Sequence, residues 1–340
     1  MPSTTVVANL RPGERLLAVG VVHAIAIDDA AVYAETSPST TPVGPDTIVR
    51  IDRRSAKTTS SGAVLAFPGQ LVRIGPWLWT NDGGMASQGG HPTELVQLDA
   101  ATLAVHQRVA LPDKYIVSDE YVTLAGSPSG LWVGAPSWLL RLDPETGRIT
   151  STIALPPGGG TEVATDPNGR LLYVTQANVG LDLTKPNQPY KTVVVTERDA
   201  TTGAVLVTRS DLPSVAGASV APVDTPDGVW VSFGTGMMGQ VQLLRAADLA
   251  TIATFSGPAA HGSPEGAAGT NSVHGTVSGG LLWVTDQIGV FSCADPGTGR
   301  LLSTREFPPP VTALISDGST LYTATDAGLA LLQPDAACKP

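Results

Sequence analysis

Two histidines, one glutamate and one tyrosine occupy similar places in the sequence and could act together in proton transfer. His23 and His274 each follow a valine and precede a small residue, while Glu162 and Tyr121 each stand directly before a valine. An imidazole changes charge near neutral pH, and a carboxylate can take up a proton or bind a divalent metal. We therefore predict His274, His23 and Glu162 as catalytic candidates, with His274 as the leading base, and Tyr121 as a ligand contact.

Four further side chains fall in or beside loop-like stretches, and we predict them as ligand contacts: His91, Trp138, His261 and Glu265. His261 and Glu265 are four positions apart, a spacing that brings side chains together only on a helix, and the glycines and proline within 262–266 argue against one. No metal motif of fixed spacing is present, so the metal ligands stay unassigned. The simpler alternative is that these polar groups are hydrated, at a water-filled channel or in exposed loops.

These candidates must be positioned by a repeated unit, which appears as a triplet of one apolar, one aromatic and one small or β-branched residue. Its seven copies are Val32–Ala34, Leu78–Thr80, Leu131–Val133, Leu172–Val174, Val229–Val231, Leu282–Val284 and Leu321–Thr323. The spacing of about 40 to 57 residues is typical of the four-stranded blades of a β-propeller. We predict an all-β fold, a seven-bladed β-propeller of four-stranded antiparallel blades, forming a single domain over residues 1–340.

Each triplet is the second strand of its blade, and the third strand ends in an aspartate that starts a turn. The turns 143–147, 199–203 and 295–299 all read Asp-x-x-Thr-Gly, in which Asp caps the turn and Gly takes the positive φ. The last blade has sequence for only three strands before the chain ends. We therefore predict that residues 4–10 supply its fourth strand, because closing the ring removes two exposed sheet edges.

The loops are unequal in length on the two faces of such a ring. The connections from second to third strands, and from one blade to the next, include the long stretches 35–47, 81–94, 111–121, 176–191, 211–217, 232–240 and 256–273. The opposite face has mostly tight turns. Four of the five histidines map to the long-loop face, which is the predicted functional side of the scaffold.

Composition excludes several partners. The net charge is −10 and there is no basic cluster, so we expect neither nucleic acid nor an anionic membrane as partner, and no apolar run is long enough to cross a membrane.

Cys293 and Cys338 lie at predicted strand ends and are expected to form a disulfide, the alternative being two free thiols. Residues 1–10 do not read as a signal peptide, so the chain is cytoplasmic if Met1 is the native start, whereas a disulfide favours an extracytoplasmic or secreted protein.

The Leu-Tyr-Val-Thr of residues 172–175 and the Asp-x-x-Thr-Gly turns resemble the YVTN and PQQ-like repeat propellers over nearly the whole chain. PQQ-dependent members of that group carry a tryptophan shortly after Thr-Gly, and none follows the three clear turns here, so PQQ is not expected as a cofactor. A weaker similarity is to virginiamycin B lyase, a seven-bladed propeller that uses histidine, glutamate and magnesium on one face. That resemblance implies an acid/base activity with a divalent metal such as magnesium.

Three functional hypotheses remain open. The first is a monomeric binding protein that takes a small molecule, a glycan or a peptide at the mouth of the channel on the long-loop face. The second is a lyase-type acid/base enzyme, and the third is a scaffold that binds another protein. The absence of a complete catalytic motif favours the binding protein.

Overall fold

A computed structural model describes residues 10–38, 46–65, 69–83, 93–115, 122–156, 161–166, 168–176, 193–212, 222–225, 228–233, 240–245, 247–256, 273–286, 290–298, 300–306, 311–334 and 338. Within them, twenty-eight strands form seven four-stranded antiparallel sheets, one for each triplet. The all-β fold and the four-stranded antiparallel blades are thereby confirmed.

We number the blades in chain order. Blade 1 contains β2 (Val21–Ile27), β3 (Ala31–Ser37), β4 (Asp46–Asp52) and β5 (Thr58–Leu65), and blade 2 contains β6 (Leu71–Ile74), β7 (Trp77–Asp82), β8 (Glu94–Asp99) and β9 (Val105–Ala110). Blade 3 contains β10 (Thr123–Ser127), β11 (Gly130–Ala135), β12 (Trp138–Leu142) and β13 (Ile149–Ala154), preceded by a short 3-10 helix, Asp113–Tyr115. Blade 4 contains β14 (Thr161–Thr165), β15 (Leu171–Gln176), β16 (Val193–Asp199) and β17 (Val205–Leu212).

Three blades complete the ring. Blade 5 contains β18 (Pro222–Thr225), β19 (Gly228–Phe233), β20 (Gln240–Leu244) and β21 (Thr251–Ser256), and blade 6 contains β22 (Val273–Ser278), β23 (Leu281–Asp286), β24 (Val290–Ala294) and β25 (Leu301–Glu306). Blade 7 contains β26 (Val311–Ser316), β27 (Leu321–Thr325), β28 (Gly328–Leu332) and, from the start of the chain, β1 (Arg15–Leu17).

The innermost strands form the wall of a central channel. Each contacts the innermost strand of the next blade, in the order β2, β6, β10, β14, β18, β22 and β26, and β26 contacts β2 again. The ring is therefore closed. The hydrophobic core lies between neighbouring blades, because the two faces of every blade pack against different neighbours.

The aromatic residue of the triplet and the glycine of the turn belong to one packing unit. Trp132 of blade 3 is fully buried and donates from its indole nitrogen to the carbonyl of Ala200, 2.9 Å away in blade 4. Gly203 of that turn has φ 76°, and a Cβ there would stand 2.9 Å from the Trp132 ring. A larger residue would strain the backbone and displace the tryptophan, so the two halves of the repeat depend on each other across the blade boundary.

The predicted role of the repeated aspartates is confirmed. In the turns that follow the third strands, Asp143 accepts a hydrogen bond from the backbone N–H of Thr146 at 2.8 Å, and Asp199 accepts one from Thr202 at 2.7 Å. Each of these carboxylates accepts hydrogen bonds within its own turn. They stabilise the turns of the tight-turn face.

The prediction that residues 4–10 close the ring was wrong. The closing strand is β1, in which Arg15, Leu16 and Leu17 pair with Leu331, Ala330 and Leu329. Residues 1–9 lie outside the described residues. The physical reason is a turn through Gly13 at φ 91°, after which Leu16 and Leu17 reach the apolar contacts on the two sides of blade 7. Opening the ring therefore requires a deletion that extends through Leu17.

The predicted disulfide is confirmed. Cys293 of β24 is bonded to Cys338, and both are buried. The bond attaches the C-terminal segment to blade 6, beside the blade that holds both ends of the ring.

Candidate functional site

The long-loop face is the end of the ring where innermost strands begin and second strands end. Register pairs place Val22 beside Thr36, Thr161 beside Gln176 and His274 beside Thr285 at this end. The predicted residues His23, Glu162 and His274 therefore start innermost strands on one face. They belong to blades 1, 4 and 6, which are not adjacent, so the ring places them around the channel and not side by side.

His23 lies in a β-bulge. The register of β2 against β3 shifts between Val22 and Ala24, which turns the His23 side chain out of the regular alternation. Its Nε2 atom lies 2.7 Å from the hydroxyl of Ser37, and burial lowers the pKa of the imidazole below its ordinary value. The ring is therefore neutral at pH 7 and has a fixed partner, a state in which it can donate or accept one further hydrogen bond.

The other predicted residues divide into described and undescribed groups. Glu162 is half-buried on β14, and Trp138 begins β12, where its ring packs edge-on against Tyr115 at 5.2 Å. Trp138 thus has a clear packing role, and its ligand role stays a prediction. Tyr121, His91, His261, Glu265 and the side chain of His274 lie outside the described residues, so the acid/base hypothesis built on His274 stays a prediction as well.

An acidic group at the boundary of blades 1 and 2 was not anticipated from the sequence. It consists of Glu35, Asp46 and Asp82, all essentially inaccessible to solvent. Glu35 accepts hydrogen bonds from the backbone N–H of Gly69 at 3.0 Å and from the Thr80 hydroxyl at 3.3 Å.

The two aspartates of the group are unequally stabilised. Asp82 pairs with the guanidinium of Arg108 at 2.9 Å, whereas neither carboxyl oxygen of Asp46 has a hydrogen-bond partner within the described part of the chain. A buried carboxylate without a partner is costly, so Asp46 is the strained member of the group.

The pKa values of the group follow from this arrangement. Burial, followed by the nearby Asp82, raises the pKa of Asp46 to about 6. Burial also raises the pKa of Glu35 well above its ordinary value, and repulsion from Asp46 and Asp82 adds to this effect although the Gly69 N–H opposes it. The group consequently holds protons at pH values where exposed carboxyls have lost them.

The signal that sequence reasoning missed is the position of these acids relative to the triplets. Glu35 directly follows the first triplet, and Asp82 comes two residues after the second, so both continue a strand whose alternate side chains face a neighbouring blade. The sequence predicts loops over 35–47 and 81–94, in which acids are ordinarily hydrated. The strands extend further and carry the acids into the blade boundary.

We expect an Asp46→Asn variant to be more stable than the parent at pH 7.5. The folded-state pKa of Asp46 is raised above the unfolded value of about 3.9, so the parent loses stability as pH rises from about 4 through about 6, by about 1 to 3 kcal/mol. The variant cannot lose that proton. Chemical denaturation between pH 4 and 8 measures the difference.

The matched control for this prediction is Asp29→Asn, which removes an exposed acid from the tight-turn face. Its stability should follow the pH dependence of the parent. Equal pH profiles for the Asp46 variant and the parent would show that Asp46 is not a strained buried acid.

The central channel contains a cavity of about 290 Å³. Aliphatic residues from five blades line it, namely Ile25, Leu71, Leu124, Val163 and Ile315. Two residues of its wall are polar. Arg73 pairs through Nε with Asp28 at 3.0 Å, while its buried Nη1 has no hydrogen-bond partner among the described residues, and the Thr165 hydroxyl donates to the Gly126 carbonyl at 2.7 Å. The cavity lies along the second halves of the innermost strands. It is therefore closer to the tight-turn face than are the polar residues with which these strands begin.

The described residues offer no preformed metal centre, since within them no three His, Cys, Asp or Glu side chains are arranged to hold an ion. Magnesium, which the lyase resemblance implies, would depend on residues outside this part of the chain and stays a prediction. Among the described residues there is also no helix long and apolar enough to span a membrane.

Comparisons with known proteins support the architecture. No family model and no curated protein matches the chain. Among solved structures, BamB from Moraxella catarrhalis matches with a TM-score of 0.59 over 92% of this chain and 85% of that chain, at 14% sequence identity. The chain has a β-propeller fold. At this identity the likeness concerns the fold alone, and 1373 solved chains match, so fold does not select a function.

Proposed function

We propose that this protein is a binding protein that holds the apolar part of a small molecule, or an apolar peptide side chain, in its central channel. The observation that carries the proposal is the channel cavity of about 290 Å³, in which aliphatic side chains from five blades share the wall with polar groups. A concave, mostly apolar pocket with a few polar groups nearby is the usual form of a small-molecule site.

The polar end of the ligand would lie toward the long-loop face. His23 precedes Ala26 of the cavity wall by three residues, which corresponds to about 10 Å along a strand. A neutral imidazole with one hydrogen bond to Ser37 can orient a polar group at that distance.

The disulfide supports a location outside the cytoplasm, because such bonds persist in oxidising compartments. We propose an extracytoplasmic location on this basis and, separately, a monomeric state. Size-exclusion chromatography with light scattering tests the monomer.

An Ala164→Leu variant should abolish binding in the channel. Ala164 lines the cavity on β14, and a leucine there would occupy the space that a ligand needs. The measurement is ligand-observed NMR with a library of apolar fragments, applied to the parent and the variant. Ala154→Leu is the matched control, since that alanine is exposed on the outer strand β13.

The proposal fails if no fragment binds the parent, or if fragments bind the Ala164→Leu variant as well as they bind the control. For fragments that bear a polar group, His23→Ala should weaken binding, whereas His106→Ala should not. His106 stacks on Trp77 in the outer part of blade 2 and is remote from the channel.

A further inference from the structure

A second cavity lies at the seam where the two ends of the chain meet. Its volume is about 260 Å³, and it is formed between blade 7, with the closing strand β1, and the turn of blade 1 that follows β4. One side is apolar, with Val32, Leu329 and Leu331 in its wall. This cavity is separate from the channel, and the two share no lining residue.

The polar side of the seam cavity is rich in arginine. Arg15, Arg53 and Arg54 line it, against a single acid, Asp52. Arg53 is committed, because its guanidinium donates to the carbonyl of Asp28 and pairs with Asp317. Asp52 is likewise used by its turn, where one carboxyl oxygen accepts hydrogen bonds from the backbone N–H and the hydroxyl of Ser55.

Arg15 and Arg54 differ from Arg53. Both side chains are exposed, and neither guanidinium has an acidic or hydrogen-bonding partner among the described residues. In a chain of net charge −10, two uncommitted guanidinium groups beside one cavity form a local positive site in an otherwise acidic protein. A guanidinium binds carboxylates and phosphates through paired hydrogen bonds.

We propose that the seam cavity binds an amphipathic anion, a molecule with a carboxylate or phosphate group on an aliphatic body. The anionic group would lie between Arg15 and Arg54, and the aliphatic body would contact Leu329 and Leu331. Because Arg15 belongs to the closing strand and Arg54 to blade 1, the ligand bridges the two sides of the seam. Binding therefore stabilises ring closure and raises the melting temperature by mass action.

The test is calorimetric titration of the full chain with octanoate, hexyl phosphate, inorganic phosphate and 1-hexanol at low ionic strength. We expect one or both amphipathic anions to bind more tightly than inorganic phosphate and 1-hexanol, and the two anions distinguish a carboxylate from a phosphate ligand. Arg15→Gln and Arg54→Gln should each weaken that binding about ten- to a hundred-fold, as for hydrogen bonds to charged groups. Arg170→Gln, an exposed arginine of blade 4, is the matched control and should leave affinity unchanged.

Three results would overturn the proposal. The first is the absence of binding by both amphipathic anions. The second is an equal loss of affinity in the Arg170→Gln control, which would indicate general charge attraction. The third is binding of 1-hexanol as tight as that of the anions, which would show a purely apolar cavity. Each result leaves the channel proposal intact, since that proposal depends on Ala164 and not on these arginines.

Discussion

A Glu14→Ala variant is expected to lose about 3 to 5 kcal/mol of unfolding free energy at pH 7, the usual cost of removing one partner from a buried ion pair. Both carboxyl oxygens of Glu14 accept hydrogen bonds from Arg305 at 2.7 Å, and the Glu14 side chain is only 1% exposed. The pair joins the segment before the closing strand to β25 of blade 6. Its loss removes both hydrogen bonds between Glu14 and the partly buried guanidinium of Arg305, and it loosens the closing strand.

The effect has a defined pH dependence. Burial by itself would raise the pKa of Glu14, but the hydrogen bonds from Arg305 and from the Arg11 N–H outweigh it and lower the value. A lowered folded-state pKa contributes stability above the unfolded value of about 4.3 and loses it as pH falls. The difference between parent and variant should therefore shrink below about pH 4.

Chemical denaturation with a double-mutant cycle over Glu14 and Arg305 measures the pair. The control is Arg245→Ala, because Arg245 pairs with Asp248 at the surface, with side chains 55% and 51% exposed. Exposed pairs contribute about 0 to 1 kcal/mol. If Arg305→Ala costs no more than Arg245→Ala, the pair does not hold the ring closed.

Replacing both cysteines by serine is expected to cost about 4 kcal/mol, on the chain-entropy relation for a sequence separation of 45 residues. The bond limits the unfolded chain, and its loss frees the segment that carries Cys338 from blade 6. Denaturation of the oxidised parent and the double variant measures the cost.

Reductant provides the control for the disulfide. It should lower the stability of the parent toward that of the double variant and leave the variant unchanged. Two titratable thiols in the folded, non-reduced parent, or equal stability of parent and variant without reductant, would contradict the prediction.

Features that recur within each blade were predictable because they depend on local sequence. The triplet places an aromatic side chain on a blade face, and the aspartate of the Asp-x-x-Thr-Gly turn accepts hydrogen bonds from the backbone of the same turn. Both features can therefore be recognised from a few consecutive residues. The disulfide was predictable because the chain has two cysteines, and both lie in its C-terminal part. These features follow from strand alternation and turn chemistry, which act over short distances.

The functional candidates were less predictable. The repeat predicted that His23 and Glu162 lie on the long-loop face of the ring. Their separation on blades 1 and 4 follows from the order of the blades around the ring. The burial of Glu35 and Asp46 depends on how far their strands extend and on blade 2 packing over them. A single blade does not contain that information.

The sequence by itself determined the all-β class, the four-stranded blades, their turns and the pairing of the cysteines. Only the tertiary structure decided that Arg15–Leu17 closes the ring, that three acids are buried at one blade boundary, and that arginines line a cavity at the seam. The physical reason is that these features join residues far apart in the chain, such as Glu14 and Arg305 or Arg15 and Arg54. These residues come close together only when the whole ring has closed, whereas the repeat pattern reflects interactions within a single blade.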